Sequence, residues 1–471
     1  MNNNQLLRAL IAFIIFFGVA LHAPAAATGK PNIIYINADD LGVMDVGFMG
    51  RKEYKTPHLD KLAAEGMVFT EAYAPAANCA PSRACVISGQ YAARHGVYTV
   101  DDSERGPSRE RKLIPIKNTR HLAEENLTMA EALKAAGYRT IHLGKWHLGD
   151  DPTTQGFDIN IGGYASGSPI GGYFSPFPKG PMAAFNDTYP KNTHRCDIFA
   201  DQAIKFLRAN TDHPFFMHMA YYSVHTGIQP VPGLVEKYKG VAGINADYAS
   251  MVEKMDESIG KIVDELDQLG MKENTLILFC SDNGGVRGIS RQDPYRSGKG
   301  SYFEGGIREP MLVRWPGKVA AGSTCDVPVI GIDFYPTFLE AAGAKVPDGK
   351  TLDGVSLMPL LSGSGAIDHR ALFWHFPIYL QSYSKDNDNA HDTHFRTRPG
   401  SAMRFGKWKL HEYFEDGRLE LYDLSTDVSE RHNLAAEKPD KTSELHAMLK
   451  QWREDLGCPV PTKLNPAYRG K

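Results

Sequence analysis

The sequence predicts an α/β fold, with a large, mostly parallel sheet sandwiched by helices and a smaller C-terminal antiparallel-sheet subdomain. Two observations predict it. Over residues 30–315, helical stretches lead repeatedly into short, wholly apolar strands. Beyond about residue 365 the texture changes to short strands separated by tight turns. At 471 residues and 42% hydrophobic side chains, the chain has ample material for such a core.

In chain order, residues 1–27 have the layout of a secretory signal peptide, with an apolar run from Ala9 to Leu21 and small residues from Ala23 to Ala27. The run is short for a bilayer span and no second one follows, so export to the periplasm or exterior is expected, without stable membrane association. Residues 28–365 then read as the catalytic domain and 366–471 as the C-terminal subdomain. Thr56-Pro57 starts a helix that Gly66 ends. Thr128 and Glu131 form a capping box, Gly137 closes that helix, and a strand over 138–143 follows. A helix over 200–210 precedes a strand over 215–221. An apolar stripe from Val252 to Leu269 marks a helix that Gly270 stops before the strand 275–280, and the pattern repeats at 311–314. The late strands fall at 402–405, 408–411 and 419–422, with a terminal helix over 443–456. Residues 381–399 between them show no helix or strand period.

Polar residues follow the apolar strands in a consistent place. Asp39 and Asp40 follow the first, Lys145 and His147 the strand at 138–143, His225 that at 215–221, and Asp282 and Asn283 that at 275–280. In a parallel sheet the carboxyl ends of the strands share one edge, where ligand sites form, so these residues converge on one pocket. A net charge of −3, from 52 basic and 55 acidic residues, gives no general attraction to nucleic acid. Six cysteines exclude a disulfide scaffold and predict one bridge or none.

The strongest local signal is Cys79-Ala80-Pro81-Ser82-Arg83. Pro81 suits a first helical turn, which places Cys79 at a helix N-terminus that favours an anion, with Arg83 one turn along and able to reach the same anion. This pentapeptide resembles the modification motif of the sulfatase family, whose cysteine is oxidised to formylglycine. The likeness extends in order through Ala38-Asp39-Asp40-Leu41-Gly42, Gly144-Lys145-Trp146-His147-Leu148-Gly149, His225-Thr226, Ser281-Asp282-Asn283-Gly284-Gly285 and Gly298-Lys299 to Gly305-Gly306-Ile307-Arg308. Later segments, 402–410 and 421–434, resemble the family's C-terminal subdomain.

The resemblance implies an alkaline-phosphatase-like fold with a mixed, mostly parallel sheet, and a sulfuric ester hydrolase acting through formylglycine made from Cys79 by a formylglycine-generating enzyme. It implies one calcium ion, held by Asp39, Asp40, Asp282, Asn283 and position 79. These side chains offer oxygen ligands suited to a hard cation, and no His stands beside Asp282 to suggest a two-zinc site. Catalytic roles fall on Cys79, Arg83, Lys145, His147, His225 and Lys299: Lys145 and Lys299 neutralise the sulfate, His225 protonates the leaving oxygen and His147 takes up a proton as the aldehyde is restored. Arg308 is expected to be structural. Two departures stand out, Gln90 in place of the family's usual Arg and Glu309 in place of a small apolar residue.

The expected substrate is a sulfated saccharide. The polar stretch carrying His375, His391, His394, Arg396 and Arg398 suggests basic groups that meet carboxylates or further sulfates, with residues 162–173 as another wall. The alternatives are an arylsulfatase acting on aryl or steroid sulfates, a phosphoester or phosphonate ester hydrolase of the same superfamily, and an inactive sulfated-glycan-binding protein.

Overall fold

The structure, a computed structural model, describes residues 29–383 and 392–470; the expected signal peptide (1–27) and His391 lie outside the described residues. An eight-stranded sheet forms the centre. Across it the strands run Ile159–Ile161, Arg139–Gly144, Phe215–Ala220, Asn32–Ala38, Thr275–Ser281, Met311–Arg314, Met67–Phe69 and Ser323–Cys325. The first five are parallel to one another, while Met311–Arg314 runs antiparallel to both strands beside it. The α/β rhythm expected there is thus broken in direction: an apolar run buries equally well either way, so its pattern does not encode polarity.

Alternation along Asn32–Ala38 sends Ile34 and Ile36 into one core and Ile33 and Tyr35 into another. The helices Pro57–Ala64, Arg195–Arg208 and Ala246–Gln268 cover the first face. Cys79–Ser88, Met129–Ala135 and Phe334–Ala341 cover the second. The helix starts follow their caps: Thr128 Oγ1 accepts from Glu131 N at 3.2 Å while Glu131 Oε2 accepts from Thr128 N at 2.7 Å. Arg195–Arg208 and Ala246–Gln268 both begin earlier than the apolar stripes indicate, because His194 and Asn245 cap them through Nδ1 and Oδ1.

The C-terminal sheet is wholly antiparallel, in the order Leu372–Phe376, Gly400–Phe405, Trp408–Tyr413, Leu419–Asp423. The helix Pro439–Leu456 shares its core through Leu445, Leu449 and Trp452. Leu372–Phe376 has no counterpart in the sequence reading. The aperiodic stretch 381–399 does carry a strand, Phe395–Thr397, paired across a register irregularity with Leu380–Gln381. Strands of two and three residues are too short to display a period. All six cysteines are buried and none is disulfide-bonded. Among the described residues no helix is long and apolar enough to cross a membrane.

Candidate active site

Register brings the strand-end residues together. Asn37 lies level with both Ala220 and Cys280, Ala38 with Ser281, and Gly144 with Ala220. Lys145, Asp39 and Asp282 therefore leave three strands at nearly the same height. Gly144 permits the turn: its φ is +101°, and a Cβ there would stand 1.9 Å from the Ala220 carbonyl oxygen. Two non-glycine residues adopt left-handed backbone at this edge, Asp40 at φ 62° and His147 at φ 64°. Such strain gathers where the surroundings fix a functional side chain.

The charged groups are cross-braced. Lys145 Nζ donates to Asp39 Oδ2 at 2.7 Å, and Lys299 Nζ to Asp40 Oδ2 at 2.7 Å. Asn283 Nδ2 donates to Asp40 Oδ1 at 2.9 Å, and Asp40 N to Asp282 Oδ1 at 3.1 Å. Arg83, on the first turns of the helix Cys79–Ser88, donates through Nε to Asp282 Oδ2 at 2.9 Å and through Nη1 to the Lys145 carbonyl at 3.0 Å. Ligand atoms of Asp39, Cys79 and Asp282 lie within 4.8 Å of one another, as do those of Asp39, Asp40 and His225. Asp39 Oδ1 and Asn283 Oδ1 are buried with no hydrogen-bond partner among the described residues. Orphaned acceptors beside clustered carboxylates are the donor set that a hard cation satisfies.

The electrostatics divide the carboxylates. Burial pushes Asp282 up to about 6, with the charge of Asp39 adding to it; burial also raises Asp39. Burial acts on Asp40 in the same direction, but Lys299, His225 and Lys145 together outweigh it and hold that carboxyl well below its usual range. His147 is driven far down by burial and then by Lys145 and Arg83, and His225 down to about 4 by burial against the pull of Asp40. Both imidazoles are thus neutral at physiological pH in the ligand-free protein.

Cys79, His147, His225 and Lys299 open onto a cavity of about 380 Å³, whose far wall is the segment 165–168. Gly167 lies against the His147 ring. Tyr173 Oη donates to the carbonyls of Tyr222 and His225 at 2.8 Å each, fixing the loop that presents His225. Of the basic residues expected to face substrate, Arg396 reaches the cavity. His375 does not: it is buried in the C-terminal sheet between Ser401 Oγ and the Pro459 carbonyl. Arg398 also turns away, paired with Asp392 and Glu415. His394 is half-buried and does not line the cavity; its main chain is tied to Asp392 and Ser382. The sequence reading missed Arg105, Asp101 and Tyr383, which do line it; they sit in segments without periodicity.

Arg308 pairs with Glu304 and the Thr70 carbonyl, away from the cavity. Of the two departures, Gln90 lies just past the end of the helix Cys79–Ser88 and donates to the Thr351 carbonyl at 2.9 Å. Glu309 is buried, and burial together with the charge of Asp282 pushes its carboxyl well above the usual range.

Comparison with known proteins agrees with this geometry. Residues 31–344 match the sulfatase family model, and residues 298–456 match the model for the C-terminal part of N-sulphoglucosamine sulphohydrolase. A sulfatase from Formosa agariphila is 32% identical, covering 93% of each chain. The steryl-sulfatase of Mus musculus is 29% identical, over 95% of this chain and 86% of its own. The crystal structure of Ps i-CgsB in complex with k-i-k-neocarrahexaose superposes with a TM-score of 0.74 at 29% identity, covering 93% of this chain and 95% of that one. The sheet that carries the acidic cluster, the helix that carries Cys79 and the matched family model together place this chain in the sulfatase family, as a sulfuric ester hydrolase.

Proposed function

We propose that this chain is exported and hydrolyses a sulfate monoester on a saccharide, through a formylglycine made from Cys79 by a formylglycine-generating enzyme, with one calcium ion. The observation that carries the reading is the convergence of Asp39, Cys79 and Asp282 within 4.8 Å on a polar cavity. The calcium would be held by Asp39, Asp40, Asp282 and Asn283 with position 79; the orphaned Asp39 Oδ1 and Asn283 Oδ1 fit it. When present, the hydrated aldehyde supplies the nucleophile and the cation holds sulfate oxygen.

The chain's own groups do the rest. Lys145 and Lys299, now paired to Asp39 and Asp40, neutralise the sulfate as its oxygens arrive. Arg83 spans Asp282 and the Lys145 carbonyl and so fixes the start of its helix, which carries Cys79, against both strand ends. His225 Nδ1 stands 2.5 Å from the Thr226 carbonyl, to which it donates, leaving Nε2 to hand a proton to the departing oxygen. Burial first, and then Lys299 and Lys145, hold this imidazole down; the ester's negative charge opposes the two lysines and so favours the protonated form that the leaving group needs. His147, whose Nδ1 has no partner among the described residues, is a neutral base free to accept a proton.

A saccharide is supported by the hydroxyls and charges around the cavity and by the carbohydrate-bound relative. Residues 28–365 form the catalytic domain in this reading, and 366–471 contribute Tyr383 and Arg396 to the substrate cavity. The test is the mass of the tryptic peptide ending at Arg83, from protein made alongside a formylglycine-generating system. An aldehyde or its hydrate at Cys79 is expected. An intact thiol, under conditions that convert a control sulfatase, would overturn the mechanism.

A further inference from the structure

Two guanidiniums face the cavity with no carboxylate paired directly to either among the described residues. Arg396, only 3% exposed on the strand Phe395–Thr397, donates through Nε to the Gln381 carbonyl at 2.9 Å and through Nη1 to the Lys299 carbonyl at 2.8 Å. Arg105, half-buried on the opposite loop, donates through Nε to Gln381 Oε1 at 2.9 Å and through Nη1 to the Val100 carbonyl at 3.3 Å. Gln381 thus fixes both, one by its main chain and one by its side chain. Among the described residues neither forms an ion pair with a carboxylate. Asp101, an acid on the same cavity, pairs with neither. Neighbouring arginines are neutralised: Arg398 by Asp392 and Glu415, Arg111 by Glu104, Arg83 by Asp282.

Burying a guanidinium with only neutral groups as its direct partners is costly unless something supplies the opposite charge. The site is built to keep it there. Gly300, at φ +85°, makes room for Arg396, since a Cβ would stand 2.7 Å from its Nη1. The Tyr383 ring lies under the same guanidinium, 3.5 Å from ring centroid to Cζ. Lys299 separates two cationic places: its ammonium is turned to Asp40 and the acidic cluster, whereas its carbonyl is held by Arg396. The guanidiniums therefore do not belong to the group of residues that surrounds the sulfur. Both line the same cavity, where the Tyr383 side chain is the neighbour of Arg396.

We propose that Arg105 and Arg396 form a second anion subsite, and that the saccharide taken by this enzyme carries a second acidic group, a sulfate ester or a carboxylate, beside the sulfate that is cleaved. This deepens the functional reading above and rests on it. Planar forked donors suit either anion, and a neutral sugar leaves them unpaired.

The test is calorimetric binding to calcium-loaded Cys79→Ala protein, which cannot turn substrate over. The probes are galactose and glucosamine saccharides bearing one sulfate, two sulfates, or one sulfate and a uronic carboxylate. Doubly acidic members are expected to bind at least about tenfold more tightly than singly sulfated ones, and the class that gains identifies the second acid. Arg105→Gln and Arg396→Gln in the same background should bring that ratio to within about twofold. Arg105 is half-exposed and its variant carries the test if Arg396→Gln melts early. Equal affinity for singly and doubly acidic probes, or an unchanged ratio in folded Arg105→Gln, overturns the subsite. Turnover of the same panel by formylglycine-bearing protein is read separately. A preserved binding ratio without any sulfate release would sink the sulfatase mechanism and leave the subsite standing.

Discussion

Position 225 shows how one residue's surroundings decide which substrates need it. His225 is neutral in the ligand-free site, with Nε2 3.8 Å from Asp40 Oδ2. A sugar alkoxide is a very basic leaving group and needs a proton in the transition state, a contribution of about a hundredfold to ten-thousandfold. A nitrophenolate leaves unaided. His225→Ala should therefore lose most of its activity on sulfated sugars and keep a much larger share on an activated aryl sulfate; equal losses in kcat/KM on both would remove His225 from the acid role. Gly167 bears on the other imidazole. A Cβ there would lie 2.2 Å from His147 Cε1 and 2.6 Å from each ring nitrogen. Gly167→Ala should displace that ring and lower kcat with little change in melting temperature. Steady-state rates beside a thermal melt check this, and an unaltered kcat would show that the ring's position does not matter. These imidazoles were legible in sequence, because each follows an apolar strand. Arg105 was not, because charges in an aperiodic loop carry no signal of what they face. His375 was misplaced for a related reason: within Leu372–Phe376 a single imidazole looks the same whether it points to a cavity or, as here, to Ser401 in a core.

At the scale of elements, parallel register creates the site and also stores its electrostatic cost. The strands Asn32–Ala38 and Thr275–Ser281 pair so closely in level that Asp39 and Asp282 cannot avoid each other. Without a cation Asp282 is pushed up to about 6, by burial first and then by Asp39, against the pull of Arg83 and Lys145. Its folded value lies above the ordinary carboxylate value of 3.8. The cation-free fold therefore has this group's full contribution below about pH 4 and loses it as pH rises through 6. A calcium ion bound as proposed would replace the missing counter-charge, so the rise in melting temperature on adding calcium should be larger at pH 7.5 than at pH 5. Melts at the two pH values, with calcium and with chelator, check this; an equal rise at both would mean the ion does not sit between these carboxylates. The apolar runs made the strands themselves readable, and their ends made the cluster readable. The direction of Met311–Arg314 was not, since four buried apolar residues satisfy a sheet in either sense.

Across the whole molecule, the C-terminal sheet is joined to the helices and loops beside the central sheet by buried charge as well as by apolar contact. Lys409, fully buried on Trp408–Tyr413, donates to Glu304 Oε1 at 2.9 Å and lies 3.1 Å from Glu430 Oε1. Glu304 also accepts from Tyr73 Oη at 2.8 Å and Arg308 Nη1 at 3.0 Å, and it opens the short helix Glu304–Ile307. Burial would raise this carboxyl, but Lys409, Arg308 and Arg404 bring it down to about 2. From that helix the Gly306 carbonyl accepts from Gly284 N at 3.0 Å, next to Asn283. A contact path thus runs from the C-terminal sheet to a proposed calcium ligand. Lys409→Met should leave two buried carboxylates without their shared cation and destabilise by roughly 3 kcal/mol or more. Removing the carboxylate of Glu430 at the same time, in Lys409→Met with Glu430→Gln, should recover part of that loss, because a buried charge is costly chiefly when its partner has gone. If the path reaches Asn283, calcium affinity should fall with stability in the single variant and return with it in the double. Melting temperatures and calcium titrations of the three proteins decide between two outcomes: parallel changes would show that the C-terminal sheet holds the metal site in shape, whereas a lower melting temperature at unchanged calcium affinity would confine Lys409 to joining the C-terminal sheet to the helix Glu304–Ile307.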